Sequence, residues 1–224
     1  MKDNGLLVQY FNANTPADQT LWAKAAKDAV TLKKLGATAV WFPPATKGAA
    51  GKEDMGYAPY DLYDLGEFNQ KGSVGTRYGT KKEYLEAIDA MKTQGINVYA
   101  DIAVRQKLGA DSVEKVTAAD FNAKDIPQMI GNKKIVGALS KFTFAGRRSK
   151  YSKFKWNWNH FAGIDWQQDD FKKRVCELSG MTEEEAEKKY KLSKYDYIIG
   201  SELDLYNQEV YDELMAWAKW YEDV

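Results

Sequence analysis

The sequence predicts an α/β fold in which helices cover a parallel sheet, and three observations indicate it. Short apolar runs alternate with segments whose apolar residues recur at helical spacing, in the order strand, helix, strand, helix, strand. Glycine or proline residues close these segments. Strands that follow one another through a helix form right-handed crossovers, which place them parallel in one sheet.

The first two strands and the helix between them follow from local patterns. Residues 6–11 are a short apolar run and predict a buried strand. The next segment predicts a helix that Gly36 ends, with one apolar face formed by Trp22, Ala25, Ala26, Ala29 and Leu32. Residues 39–42 predict the second strand, which Pro43 and Pro44 close.

A second helix and a third strand complete this pattern. Thr80 and Glu83 have the spacing of a capping box, so they predict a helix start, and Gly95 predicts its end. Residues 96–104 predict the third strand, which contains Asp101. Ligands on parallel sheets bind at the carboxyl ends of the strands, so we expect function near the long loops that follow the second and third strands.

The pattern changes after Val104. Residues 1–104 carry the three predicted strands, and residues 105–206 predict an inserted mixed subdomain in which Thr182 and Glu185 open a short helix. Residues 207–224 predict a final helix capped by Asn207. Its apolar stripe is formed by Val210, Leu214, Trp217 and Tyr221.

Composition excludes several classes of function. The chain has 32 basic and 32 acidic residues, and this balance gives no general attraction to nucleic acid or anionic membrane. No apolar run is long enough to span a bilayer. Residues 1–5 are polar and predict no signal peptide, and Cys176 is the only cysteine. We therefore expect a cytoplasmic protein with no nucleic-acid or membrane partner, and a mature exported protein stays open as the alternative for its location.

Several ordered motifs resemble the bacterial alpha-amylases of glycoside hydrolase family 13. Residues 38–44 and 56–68 resemble the second strand of that family and the loop after it, and residues 78–81 resemble the segment that follows. Residues 151–156 with His160 and Phe161 resemble the family's inserted domain. The resemblance covers essentially the whole chain.

The resemblance implies a partial eight-stranded β/α (TIM-type) barrel, consisting of the first three β/α units with a subdomain inserted after strand three. In that family a nucleophile, a general acid and a third carboxylate follow strands four, five and seven, so all three positions are expected beyond Val224. A retaining glycosidase needs two closely spaced carboxyl groups. We therefore expect this chain alone to be inactive, although it resembles an enzyme of alpha-1,4-glucan hydrolysis.

The resemblance also implies sugar-binding residues. Tyr57 matches a tyrosine that stacks on the reacting sugar, and Asp101 matches an acid that orients the catalytic side. The family pattern Asp-x-x-x-Asn-His ends here in Arg105 and Gln106, and Gln106 stands where the family histidine contacts sugar. A structural role stays open for both Tyr57, as a loop tyrosine, and Asp101, as a strand-end acid paired with a cation.

Calcium is the one cofactor that the resemblance suggests. Asp165 and Asp204 match acids near the family's metal, whereas calcium takes six to eight oxygen ligands. Arg105 replaces a neutral ligand, and a guanidinium repels a divalent ion. We expect a vestigial, unoccupied site in which Arg105 bonds an acid such as Asp204.

Other reactive or charged residues have simpler interpretations. Basic residues interleave with aromatic ones over 147–156, which is typical of a solvated face above an aromatic core and is favoured over a nucleic-acid strip. His160 is the only histidine and has no evident partner for a catalytic triad or a metal cluster, so we expect a structural role. Cys176 is expected to be packed rather than nucleophilic.

Three functions stay open. The first is a degenerate or truncated amylase relative that binds glucan or maltooligosaccharide weakly at most. The second is one half of a split glycosidase, completed by a complementing half-barrel chain or by self-association. The third is a non-catalytic interaction module. The edge strands of a three-stranded parallel sheet favour association, whereas Tyr57 favours a role with sugar.

Overall fold

A computed structural model describes residues 5–121, 129–166, 173–177 and 200–224. The described strands are β1 (Leu7–Gln9), β2 (Ala39–Phe42), β3 (Lys47–Gly48), β4 (Pro59–Asp61), β5 (Asn97–Ala100), β6 (Gln106–Lys107), β7 (Ser112–Phe121), β8 (Met129–Lys141), β9 (Phe161–Trp166), β10 (Lys173–Glu177) and β11 (Ser201–Leu203). The α-helices are α1 (Leu21–Lys34), α2 (Lys81–Thr93) and α3 (Gln208–Asp223), and short 3-10 helices span Gly51–Glu53, Ala145–Arg147 and Trp158–His160. The fold is therefore mixed α/β.

The chain divides into two compact units. The first contains residues 1–104, 145–151 and 221–224, and the second contains residues 105–144 and 152–220. Residues 145–151, which fall inside the predicted 105–206 segment, group with the first unit. Most of α3 groups with the second unit.

A three-stranded parallel sheet forms the centre of the first unit, in the order β1-β2-β5. The central strand is buried, with Val40 and Phe42 at 0% exposure, because helices and neighbouring strands cover it. Trp22 of α1 lies 4.8 Å from the ring centre of Tyr84 of α2 and 5.2 Å from that of Phe42. These aromatic contacts hold the two helices on the sheet.

Two expectations about the strands were wrong in detail. The first strand is exposed rather than buried, since β1 is an edge strand and Leu7 is 54% exposed. The third strand ends at Ala100 rather than at Val104. Asp101 still donates its backbone N–H to the Phe42 carbonyl at 3.0 Å, but Pro43 and Pro44 have no N–H to extend the ladder further.

The predicted helix boundaries are confirmed where local chemistry sets them. The Thr80 hydroxyl accepts from the Glu83 backbone N–H, and the Glu83 carboxylate accepts from the Thr80 N–H at 2.8 Å, which completes the capping box. Gly36 follows α1 with φ +88°. Asn207 caps α3, because its Oδ1 accepts from the Glu209 N–H at 2.9 Å.

A six-stranded antiparallel sheet forms the second unit, in the order β6-β11-β9-β10-β7-β8. Its core is aromatic, with Phe142, Phe144, Trp156 and Phe161 all buried. His160 is buried beside them, its ring centre 4.7 Å from that of Phe154. The helix predicted from Thr182 and Glu185 lies outside the described residues.

The helices of the described residues are not membrane-spanning segments. Within the ranges described above, every helix is too short or too polar to span a bilayer.

Candidate functional site

The structure brings together two of the predicted sugar-binding residues, Tyr57 and Asp101. The Tyr57 hydroxyl donates to Asp101 Oδ2 at 2.6 Å, although the two residues are 44 positions apart. Tyr57 stays 41% exposed. The pairing therefore fixes the ring by its hydroxyl and leaves part of the ring accessible.

Asp54 organises the loop that carries Tyr57. Its Oδ1 accepts from the backbone N–H of Gly56 at 2.8 Å and from that of Ala58 at 3.4 Å, so the carboxylate bridges the residues on either side of Tyr57. Its other oxygen accepts from the Ala50 N–H at 3.2 Å. These bonds to main-chain donors orient the loop before any ligand binds.

Gly56 is required by the same loop. Its φ is +91°, and a Cβ atom at this position would lie 2.7 Å from both Cβ and the carbonyl oxygen of Pro44. Tyr78, which is fully buried, donates its hydroxyl to the Met55 carbonyl at 2.9 Å. The loop is thus held from both sides of Gly56.

Electrostatics keep the Tyr57 hydroxyl protonated. Burial raises the pKa of Tyr57 well above its usual value, and the hydrogen bond to Asp101 raises it further. A protonated phenol donates, and a carboxylate accepts. The pair therefore acts as a fixed donor and acceptor rather than as a source of protons at neutral pH.

The third predicted sugar-binding residue, Gln106, lies in the second unit. It belongs to β6, is half-buried and pairs in register with Glu202 of β11. Its role with sugar stays a prediction.

Arg105 bonds an acid as expected, but that acid is Glu202 rather than the example named, Asp204. Arg105 Nε donates to Glu202 Oε1 at 2.7 Å, whereas Asp204 Oδ1 accepts from the Tyr206 backbone N–H at 3.0 Å. Strand register explains the difference. The Leu203 N–H donates to the Arg105 carbonyl at 2.9 Å, which sets Glu202 beside the guanidinium.

Only one of the two predicted calcium ligands has a described side chain, so the calcium site stays a prediction. Asp204 is buried, while the side chain of Asp165 lies outside the described residues. Among the residues that are described, no three His, Cys, Asp or Glu side chains come together as metal ligands.

The basic segment 147–156 is not simply a solvated face. Arg147 is 2% exposed, and its Nε donates to Asp61 Oδ2 at 2.8 Å. Lys150, by contrast, is exposed and bonds Glu67. The interpretation as a solvated face was wrong for Arg147, because a carboxylate far away in the sequence stabilises the buried charge.

His160 has structural contacts. Its Nδ1 accepts from the Asn157 N–H at 3.0 Å, and its Nε2 lies 3.1 Å from Glu209 Oε2. Burial lowers the pKa of His160, while Glu209 opposes that shift. Cys176 belongs to β10, but its side chain lies outside the described residues.

Sequence reasoning missed a buried polar network in the first unit. Lys47, Asp61, Asp64 and Arg147 are all nearly inaccessible to solvent. Gln70 links the two acids, since its Nε2 donates to Asp61 at 2.9 Å and to Asp64 at 3.0 Å. The acids lie in a motif that the sequence singled out, but nothing in the local sequence marks Lys47 as buried.

Comparison with known proteins gives a consistent result. The chain is 46% identical over 219 residues to an alpha-amylase of Geobacillus stearothermophilus, 41% identical over 218 residues to one of Bacillus licheniformis, and 37% identical over 226 residues to the cytoplasmic alpha-amylase of Escherichia coli K12. Each alignment covers 97% of this chain and 40%, 42% and 44% of the respective relative. The chain thus spans about two fifths of the length of the curated relatives it matches.

Solved structures agree on the fold. A truncated alternansucrase from Leuconostoc mesenteroides superposes with a TM-score of 0.54 at 23% identity, covering 66% of this chain and 14% of that one. An inactive double mutant of MUTB superposes with a TM-score of 0.52 at 13% identity, covering 98% of this chain and 33% of that one. No protein-family model matches the chain.

Proposed function

Because this chain is alpha-amylase-like along 97% of its length, we propose that it forms the sugar-holding part of an alpha-glucan site and does not cleave glucan by itself. The observation that carries the proposal is the pairing of Tyr57 with Asp101. The names of the relatives supply the class of substrate, since they are alpha-amylases.

The geometry of Tyr57 suits a sugar ring. Aromatic rings offer a flat apolar face, and the hydroxyl of tyrosine provides a polar handle. In this protein the Tyr57 hydroxyl is bonded to Asp101, and the residue is 41% exposed, which leaves ring surface for contact with a sugar. Because the loop is already fixed by Asp54 and Gly56, sugar binding requires little ordering of this residue.

The carboxylates near Tyr57 are suited to positioning rather than to cleavage. Retaining hydrolysis uses two carboxyl groups about 5 Å apart, one to attack the sugar and one to protonate the leaving oxygen. Asp101 accepts from Tyr57, and Asp54 accepts from three main-chain N–H groups. Both are engaged as acceptors, which supports a binding role.

We also propose a place for each unit in the fold of the family. The three parallel strands of the first unit correspond to the first three β/α units of a barrel, and the six-stranded sheet corresponds to a subdomain inserted after the third. The superposition on MUTB over 98% of this chain supports this assignment. Gln106, at the start of the second unit, is then a further candidate for sugar contact, and the cytoplasm is the proposed compartment.

Binding of maltohexaose tests the proposal. Isothermal titration should give a measurable affinity for the parent chain, a loss of at least about tenfold for Tyr57→Ala, and a smaller loss for Tyr57→Phe, which keeps the ring. Tyr211→Ala is the matched control, because Tyr211 is 53% exposed on α3. Equal affinity of Tyr57→Ala and the parent would remove the basis of the proposal.

A reducing-end assay on starch tests the second half of the proposal. We expect no release of reducing ends by the purified chain. Release in proportion to the concentration of the chain, unaffected by further purification, would contradict it.

The exposed edges of the parallel sheet favour a second candidate function, association with another chain. Leu7 of β1 is 54% exposed and Tyr99 of β5 is 57% exposed, so both outer strands present apolar side chains. Open strand edges pair with other chains. Sedimentation velocity of the parent and of Leu7→Lys would test this: a concentration-dependent oligomer that the lysine abolishes supports association, and a strict monomer opposes self-association.

A further inference from the structure

The ammonium group of Lys47 is enclosed by oxygen atoms. The side chain is 0% exposed, and its Nζ lies between 2.6 and 3.3 Å from each of four backbone carbonyl oxygens. A carboxylate oxygen lies 3.6 Å away. We name these five atoms the oxygen cage: the carbonyl oxygens of Phe68, Ser73, Val74 and Gly75, and Asp64 Oδ2.

A tight turn positions part of the oxygen cage through bonds that do not involve the Lys47 side chain. Gln70 and Ser73 exchange two backbone hydrogen bonds, at 3.1 and 3.2 Å, across a tight turn. The two residues between them, Lys71 and Gly72, have φ of +52° and +79°, as a type I′ turn requires. Ser73 Oγ donates to the Gly75 carbonyl at 2.8 Å. These bonds position the carbonyl oxygens of Ser73 and Gly75.

Asp64 is fixed in the same way. Its Oδ1 accepts from the backbone N–H groups of Gly66 and Glu67, each at 2.9 Å. Its Oδ2 accepts from Gln70 Nε2 at 3.0 Å while facing Lys47. The carboxylate thus stays directed at the oxygen cage through contacts that Lys47 does not provide.

The chemistry of the oxygen cage is that of a cation site. An ammonium group has three N–H donors, whereas five oxygens surround it here. A spherical ion is not limited to three directions, and converging backbone carbonyls replace the hydration shell of monovalent cations. Removal of Lys47 would leave Asp64 as a buried charge without its cation, since Arg147 pairs with Asp61.

We infer that the oxygen cage is a binding site for a monovalent cation of the size of NH₄⁺ or K⁺, and that Lys47 is its built-in occupant. In Lys47→Ala the site opens to an ion from solution. Alternatively, the Asp64 carboxylate is neutralised by taking up a proton, which burial favours because it raises the pKa of Asp64. The inference is independent of any role with sugar, because it concerns atoms of the first unit that do not include Tyr57 or Asp101.

Unfolding of Lys47→Ala in different chloride salts tests the inference. At pH 8 and constant ionic strength, NH₄⁺ and K⁺ should stabilise this variant saturably, while Li⁺ and tetramethylammonium should not. At a cation concentration ten times the dissociation constant, the unfolding equilibrium constant should fall about 11-fold. Lys47→Met is the matched control, because it keeps most of the volume of the lysine stem without the charge, and Lys52→Ala controls for loss of an exposed lysine.

Two results would overturn the inference. One is an equal response of Lys47→Ala to all four cations. The other is a free energy of unfolding of Lys47→Ala that does not depend on the cation and increases as pH falls, which would show that Asp64 takes up a proton instead. If Lys47→Ala does not fold in LiCl, refolding is compared in NH₄Cl by circular dichroism: recovery supports the cation site, and failure in every salt overturns it.

Discussion

Removal of Arg147 from its buried ion pair should destabilise the protein strongly. Both side chains of the pair with Asp61 are 1% exposed, so water cannot replace the lost partner. Arg147→Met removes the bond from Nε to Asp61 at 2.8 Å and the bond from Nη1 to the Lys150 carbonyl at 2.6 Å. Asp61 keeps only its bonds from Gln70 and Tyr63 among those described.

The expected magnitude follows from the charges. A hydrogen bond to a charged group contributes about 1.5–3 kcal/mol, and two are lost. Breaking a buried pair by removal of one partner costs about 3–5 kcal/mol. We therefore expect Arg147→Met to lower the free energy of unfolding by about 3–5 kcal/mol.

A double-mutant cycle separates the pair from its surroundings. Asp61→Asn, Arg147→Met and the double variant are unfolded in urea and followed by circular dichroism, with the slope m checked for constancy. The double variant should lose about 2 kcal/mol less than the sum of the single variants, since neither charge is left alone.

An exposed pair provides the control. Lys82 and Glu86 are 86% and 56% exposed and stand four residues apart on α2. Lys82→Met should lower the free energy of unfolding by at most about 0.5 kcal/mol. A loss below about 1 kcal/mol for Arg147→Met, or strict additivity in the cycle, would refute the reasoning, because it would mean that solvent reaches the pair.

Three further predictions concern single residues. Thr80→Ala should lower the free energy of unfolding by about 1 kcal/mol because the capping box is lost. Thr80→Ser keeps the hydroxyl and should retain most of that stability, and urea unfolding measures both variants. Gly36→Ala should lower the free energy of unfolding by about 1–2 kcal/mol because of its positive φ alone. Gly56→Ala should lower it by more, since the added Cβ also meets Pro44, and equal losses for the two variants would contradict that close contact. Burial lowers the pKa of His160, so the unfolded chain takes up its proton first as pH falls below about 6.5. Stability should therefore decrease from pH 7.5 to 5.5, and His160→Gln should flatten that slope; identical slopes would argue against this assignment.

Features with local causes could be predicted from the sequence. The capping box of Thr80 depends on a residue three positions away, and the end of α1 depends on Gly36 itself. The contact between Tyr57 and Asp101 was not predicted. The resemblance to a family named each residue separately as a candidate for sugar binding, but no local pattern relates residues that are 44 positions apart.

The misses share one physical reason, which is that charge alone does not reveal burial. Arg147 has the same charge as its exposed neighbour Lys150, and only the distant Asp61 makes its burial favourable. Arg105 pairs with Glu202 instead of Asp204 because strand register, set by contacts across 97 positions, selects the acid. Such pairings depend on topology and could not be predicted from spacing.

The grouping of residues 145–151 with the first unit limits how this protein can be rearranged. A gene segment that encodes 105–206 would carry Arg147 into a new host without the carboxylate that neutralises it. Grafts or swaps of the second unit should therefore exclude this short stretch or transfer Asp61 with it. The second unit is therefore not a single continuous stretch of sequence, because residues 145–151 stand between its two segments and group with the first unit.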